Sequence, residues 1–325
     1  MALESAGVKE PAFTQAKGKA IRKVAAFDIE REAVLHKLEE AKIWYMPLKG
    51  SVLKDIYPKI GMRQMADNDI LYDVSRSEDV RTIMESLGFE TISFVTDQYH
   101  HDHYNKEPVC NFEMHRALFV PGLNDKIFNY YQHIKDKMIP NSDSHYGYHL
   151  SDEDFYIYMI AHEYKHYTGS GTGLRSLLDT FVYVKGKSDS MDWQYIESEL
   201  KKMDLQDFEE QNRILAMHLF GLEELSEADE EMLEYMLSSG TYGTVKNRVK
   251  NSIESYGDKP FRKIQYAFGR IFLPLKTVKT FYPVFYKFPI LLPLLPFYRI
   301  YRNITKHGGA VLKEMKELIA YKKKQ

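Results

Sequence analysis

Along residues 17–41, KGKAIRKVAAFDIEREAVLHKLEEA, apolar side chains at Ile21, Val24, Ala25, Ile29, Val34, Leu35 and Leu38 fall near helical spacing, with charges on the other face. The pattern predicts one or two amphipathic helices. It then changes: IWYMPLKGS is a short apolar run of strand formers that stops at Lys49-Gly50, and SVLKDIY resumes helical character. The order is strand, glycine turn, helix. Pro58 and Gly61 with their polar neighbours predict a loop, and Asp67-Asn68-Asp69-Ile70-Leu71-Tyr72 another strand. Ser75 to Leu87 predicts a helix, with Ser75 or Ser77 as N-cap and Gly88 as its stop. Phe89–Thr96 and Pro108–His115 alternate as two further strands, joined by the polar, histidine-rich loop DQYHHDHYNKE.

From about residue 124 the strand signals largely vanish, and 151–185, 192–224, 226–238 and 244–256 read as successive helices. The expected fold class is therefore α+β. A small mixed β-sheet domain with N-terminal helices would cover 1–123 and a mainly helical domain 124–325, with the change of composition at VPGLND. The last apolar segment, from Phe268 to about residue 300, is interrupted by prolines at 274, 283, 289, 293 and 296 and by cations at 276, 279, 287 and 299. A membrane-spanning helix needs about 20 predominantly apolar residues, and proline costs about 3 kcal/mol in a helix interior. No transmembrane span is expected. Two readings of 268–300 stay open: packing across the helical domain, or a peripheral docking face for a membrane surface or a partner.

A chain of 325 residues suffices for two domains, and 44% hydrophobic with 28% charged residues is the composition of a globular protein, not a disordered one. A formal net charge of −2 gives no global positive field to recruit nucleic acid. The single cysteine, Cys110, excludes an intramolecular disulfide, and MALESAGVKE lacks the basic-then-apolar pattern of a secretory leader, so the expected compartment is the cytoplasm.

Two carboxylates one residue apart on a strand project to the same face, so Asp67 and Asp69 point together. Their mutual repulsion is ordinarily relieved by a hard divalent cation such as Mg²⁺. Gly50-Ser51, where strand turns to helix, would present backbone N–H groups and a hydroxyl to an anion, as a phosphate cradle does. Glu113, in phase with His115 on a later strand, would complete the acidic set.

With these residues in view, LKGSVLKDIYPKIGMRQMADNDILY resembles the LKG, YP, G-x-R-x-M-x-D-x-D-[IL]-L signature of the uncharacterised nucleotidyltransferases, within the polymerase β-like superfamily. NFEMHRALF and IYMIAHEYKHYTGSGTGLRSLLDT resemble that family's later strand and helical pair, so the likeness spans roughly 40–185. The resemblance implies that Gly50 and Ser51 hold the triphosphate, that Asp67 and Asp69 bind metal, Mg²⁺ or Mn²⁺, and that Glu113 is the third carboxylate. Lys49 and Arg63 flank the cradle, either neutralising phosphate or forming solvated surface. His115, His162, His166 and Arg175 would position the acceptor, with Asp179 orienting Arg175 from one turn on. Asn68 departs from the family's usual apolar residue, which is expected to weaken the strand's buried back face slightly while leaving both aspartates in place. The function implied is transfer of an NMP from an NTP, ATP among them, to an unidentified acceptor (small molecule, sugar, protein or RNA end) with release of pyrophosphate. A non-catalytic binding protein of the same fold is the alternative. His162-Glu163-Tyr164-Lys165-His166 also spells the H-E-x-x-H of zinc peptidases, without the extension that supplies a third ligand. The Tyr99-to-His103 histidines read as an exposed turn and take no metal in this reading.

Overall fold

The computed structural model describes residues 7, 10–94, 101–121, 124–257 and 261–321, the side chains at 276, 280, 306 and 307 excepted. It is α+β. The predicted first helix is one long element, α1 (Pro11–Glu40), opened by a proline whose missing N–H costs nothing in the first turn. It leads into β1 (Tyr45–Pro47), the single-turn helix α2 (Gly50–Leu53) and β2 (Asn68–Tyr72). Then come α3 (Ser77–Ser86), β3 (Glu90–Ser93), β4 (His101–Lys106) and β5 (Cys110–His115). The five strands form a mixed sheet in the order β1-β2-β5-β4-β3, in which β2 and β5 are parallel and the other pairs antiparallel.

Sequence and structure differ in two places here. Neither Ser75 nor Ser77 caps α3: Asp73 caps a 3-10 turn, Val74–Arg76, by accepting from the Ser75 N–H, and α3 follows directly from Arg76 without a side-chain cap. Gly88 does stop the helix, at φ 84°. The predicted histidine-rich loop is in fact β4 from His101 onward; Asp97 to His100, like the end of the predicted strand at Val95-Thr96, lie outside the described residues. Beyond the sheet, α4 (Asp125–Tyr131) precedes a two-stranded ribbon, β6 (Ile139–Pro140) with β7 (Tyr148–His149). The predicted helices follow as α5 (Asp152–Thr168), α6 (Leu174–Lys187), α7 (Trp193–Lys202), α8 (Gln206–Gly221), α9 (Glu227–Ser239) and α10 (Val245–Glu254). The proline-rich end is broken into α11 (Arg262–Ile271), α12 (Leu275–Phe281) and α13 (Pro283–Lys287) before the 26-residue α14 (Leu295–Ala320). Among the described residues no helix is long and apolar enough to cross a membrane.

Close contacts divide the chain into two compact units: 1–120 with 126–157 and 182–199, and 121–125 with 158–181 and 200–325. In the first, Phe27, Val34 and Leu38 of α1 and Val80 and Met84 of α3 pack with Ile70, Tyr72, Tyr104, Phe112 and Met114 of the sheet. This dry face fixes the register of β2 and β5. Because side chains alternate along a strand, it also fixes what the other face must carry. In the second unit, Leu177, Leu215, Ala216, Met232 and Met236 form a helical core, and Val249, Ile253 and Tyr266 a smaller one.

Candidate active site

The sheet face opposite α1 carries the chemistry. Parallel pairing sets Asp69 beside Glu113 and Leu71 beside His115, and antiparallel pairing adds His103 beside Glu113 and His101 beside His115. Two carboxylates and three imidazoles are thereby brought to one face by strand register alone. Asp67, two residues before Asp69, belongs to the same cluster. Burial, together with the negative charges of Asp69 and Glu113, pushes its carboxyl up to about 7.

Asp69 is buried and its environment is the reverse. Burial alone would raise its pKa, but the Lys49 ammonium at 2.6 Å and His115 Nε2 at 2.7 Å, both on Oδ1, hold the carboxyl well below the usual range. An ionised carboxylate only accepts, so His115 donates its Nε2–H to Asp69. His115 Nε2 also lies 3.5 Å from Glu113 Oε2; burial and the charge of Asp69 would raise the Glu113 carboxyl, and the His115 contact together with the nearby His101 and Lys49 keeps it below its ordinary value. His103 Nε2 is 3.4 Å and His101 Nδ1 3.7 Å from the same carboxylate. Burial drives the His101 imidazole down to about 4, so at neutral pH it is an uncharged donor.

The turn before α2 supplies the neighbouring wall. Lys49 adopts φ 45°, ψ −114°, a conformation strained for a residue with a Cβ, and such outliers concentrate at functional sites. At Gly50 a Cβ would stand 2.5 Å from Arg63 Nη1, so the missing side chain is what lets the guanidinium lie against the turn. Ser51 departs from expectation. Its buried hydroxyl donates to the Leu48 carbonyl at 2.6 Å and its N–H reaches the same oxygen at 3.3 Å, so Ser51 holds the turn instead of turning its hydroxyl proton to an anion.

Lys49, Asp67, Asp69, Glu113 and His115 therefore meet, with Gly50 and Arg63 at the adjoining turn. His115, expected to position the acceptor, is buried between two carboxylates. His162, His166, Arg175 and Asp179 belong to the second unit. There His162 and His166 bring their Nε2 atoms to 3.2 Å, Arg175 lies over the Tyr242 ring, and Asp179 is buried near Glu163. Glu163, the base that a zinc peptidase reading requires, is itself buried and accepts from Thr180 Oγ1 at 3.4 Å.

Sequence reasoning missed His101 and His103 because they lie on a strand whose outward face is polar throughout. The signal was the alternation itself: Asp102 and Tyr104 are buried, and the histidines between them are not. Among the described residues, His101, Glu113 and His115 form a group of three metal-type donors whose ligand atoms all lie within 4.8 Å of one another. With Asp67 and Asp69 beside them the donor set is mixed oxygen and imidazole nitrogen, which fits a divalent ion.

Acids and imidazoles clustered on one face of a mixed sheet, beside the strained Lys49 turn, make a polar site with donors of the kind a divalent ion takes. Comparison with known proteins narrows it. The sequence profile of the uncharacterised nucleotidyltransferase family matches residues 7–221, 215 of the 325, and the chain belongs to that family. It is a nucleotidyltransferase. No curated protein matches the chain. Among solved structures, the solution structure of the antibiotic-resistance factor ANT(2'')-Ia is similar at 12% identity, covering 68% of this chain and 90% of that one with a TM-score of 0.27, too distant a likeness to argue from.

Proposed function

We propose that the protein transfers an NMP from an NTP to an acceptor, releasing pyrophosphate, by in-line attack on the α-phosphorus at the Asp67, Asp69 and Glu113 face. The observation that carries this reading is the in-register pairing of Asp69 with Glu113 on parallel strands, with Asp67 raised by burial and then by the charge of both. Three acids with one carboxyl driven toward neutrality form a site short of positive charge. Asp67, Asp69 and Glu113, joined by His101, would hold Mg²⁺ or Mn²⁺, which when bound supplies charge neutralisation for the reacting phosphate and the departing pyrophosphate. The chain's own residues do the rest by positioning. Lys49 and Arg63 neutralise the outer phosphates at the Gly50 turn, and His115 orients Asp69 through its Nε2–H.

The acceptor, whether small molecule, sugar, protein or RNA end, is open in this reading, and the test does not require it. Thermal stability with each NTP, with and without Mg²⁺ or Mn²⁺, is compared between wild type and Asp67→Asn/Asp69→Asn, because a ligand that binds the native state raises its melting temperature. A metal-dependent rise confined to wild type is expected. No rise with any nucleotide overturns the proposal. A rise without pyrophosphate release across acceptor classes moves the reading to a binding protein of the same fold.

A further inference from the structure

α14 is amphipathic with its apolar side turned outward. Phe297, Tyr301, Ile304, Gly308, Leu312, Met315 and Ile319 recur at spacings of three and four, which places them in one narrow stripe down the helix. Apart from the glycine, each member is between 53% and 79% exposed. The side that packs is largely polar. Arg299 Nη1 donates to the Ile271 carbonyl at 2.8 Å and Arg302 Nη2 to Tyr282 Oη at 3.0 Å. Glu314 accepts from Tyr266 Oη at 2.5 Å and from both Arg270 and Arg248. A helix held to its own unit by ion pairs while a row of aromatic and aliphatic side chains faces water, over about 39 Å of length, is a surface made to be covered.

What covers it is indicated by charge. Residues 261–325 contain 14 Lys and Arg against two Glu, a formal +12, so the rest of this −2 chain is −14. One of the two acids, Glu314, is neutralised inside the fold. α11 repeats the theme: Phe261, Ile264, Phe268 and Phe272 are exposed at helical spacing beside Arg262, Lys263 and Arg270. A second copy of the same surface would bring one +12 segment against another. RNA would satisfy the cations, yet it offers no apolar phase for Ile304, Leu312 and Ile319. An anionic bilayer satisfies both. We propose that the C-terminal segment, led by α14, lies in the interfacial plane of an anionic lipid membrane, the stripe in the acyl boundary and the cations at the headgroups. Of the two readings of 268–300, the proposal takes the docking face, and it stands independently of the nucleotidyl-transfer reading.

The test is flotation of the full chain with vesicles of phosphatidylcholine alone or with added phosphatidylserine, at low and high salt. Wild type is expected to float with the anionic vesicles, about ten-fold less with neutral ones or in high salt. Tyr301→Asp/Leu312→Asp is expected to lose binding about ten-fold with an unchanged melting temperature, because both side chains already face water. If that pair melts lower, Ile304→Gln/Met315→Gln replaces it. Absence of vesicle binding by wild type, or equal binding by a folded stripe variant, overturns the proposal. So does self-association or single-stranded RNA binding that the stripe variant loses while no vesicle binds.

Discussion

Asp67 is the residue at which stability and the proposed function oppose each other. Its folded carboxyl sits near 7 against an ordinary 3.8, raised first by burial and then by Asp69 and Glu113. A raised folded value means the native state prefers the proton. The stabilisation from this group is complete below about pH 4 and is lost as pH climbs through about 7. Asp67→Asn removes that loss. In EDTA the variant is expected to melt above wild type near pH 8 and alongside it near pH 4, while the metal- and NTP-dependent rise survives only in wild type. Equal melting near pH 8 would show that Asp67 does not feel its neighbours. His101 makes a second residue-scale prediction. Imidazole donors suit Mn²⁺ better than Mg²⁺, which keeps oxygen ligands and water. Mn²⁺ should therefore support NTP binding at a lower concentration than Mg²⁺, and His101→Ala should narrow the gap about ten-fold. A titration in which His101→Ala leaves both metals unchanged would take this histidine out of the ligand set.

At the scale of the element, β2 shows what could be read in the sequence and what could not. Period-two alternation carries the expectation that Asp69 and Asp67, just ahead of the strand, share one face, and also the expectation that a polar Asn68 weakens the opposite, buried face. The structure shows otherwise. Asn68 is fully buried, donates through Nδ2 to the Phe27 carbonyl at 3.1 Å and accepts from Arg31 Nη1 at 3.3 Å, which ties the strand to α1 across the core. Asn68→Leu, the substitution toward the apolar pattern, is expected to destabilise by about 1–3 kcal/mol, because it strips Arg31 and the Phe27 carbonyl of a buried partner. Urea unfolding that shows a gain instead would vindicate the sequence expectation. β4 was illegible for a related reason: strand formers were sought in an apolar alternation, whereas this strand pairs buried Asp102 and Tyr104 with a face of histidines. Asp102 is tolerated inside because Tyr72 Oη and Arg116 Nε, each at 2.9 Å, satisfy it. No local sequence signal announces a partner 30 residues away. The β1–α2 turn was legible as a glycine turn, but Arg63's approach to Gly50 was not. Gly50→Ala must push that flexible guanidinium aside, so the fold is expected to survive while the NTP Kd rises about ten-fold in calorimetry. An unchanged Kd would separate Arg63 from nucleotide binding.

At the scale of the whole molecule, each compact unit contains buried acids, and among the described residues the group of three clustered metal-type donors, His101, Glu113 and His115, lies in the first. In the second, Glu163 has its carboxyl raised to about 7, chiefly by burial; Ser176, Asn212 and Thr180 offset part of that cost, and the charge of Asp179 adds to it. Nothing in the H-E-x-x-H spelling foretold this, because the spelling is read along one helix and the burial comes from the helices packed around it. The consequence for the molecule is a pH-dependent stability unrelated to the candidate active site. Against an unfolded value near 4.5, the contribution is fully present below about pH 4.5 and is lost as pH rises through about 7, a change of about 3 kcal/mol if the native state keeps the carboxyl buried. Glu163→Gln preserves shape and hydrogen-bonding capacity without the ionisation. Unfolding free energies near pH 5 and pH 8 should show wild type losing most of that amount relative to the variant, with NTP-dependent stabilisation equal in the two proteins. A variant whose pH profile matched wild type would mean that Glu163 is already ionised in the fold. A variant that lost NTP binding would mean that the histidine helix contributes to the nucleotide site through its buried side.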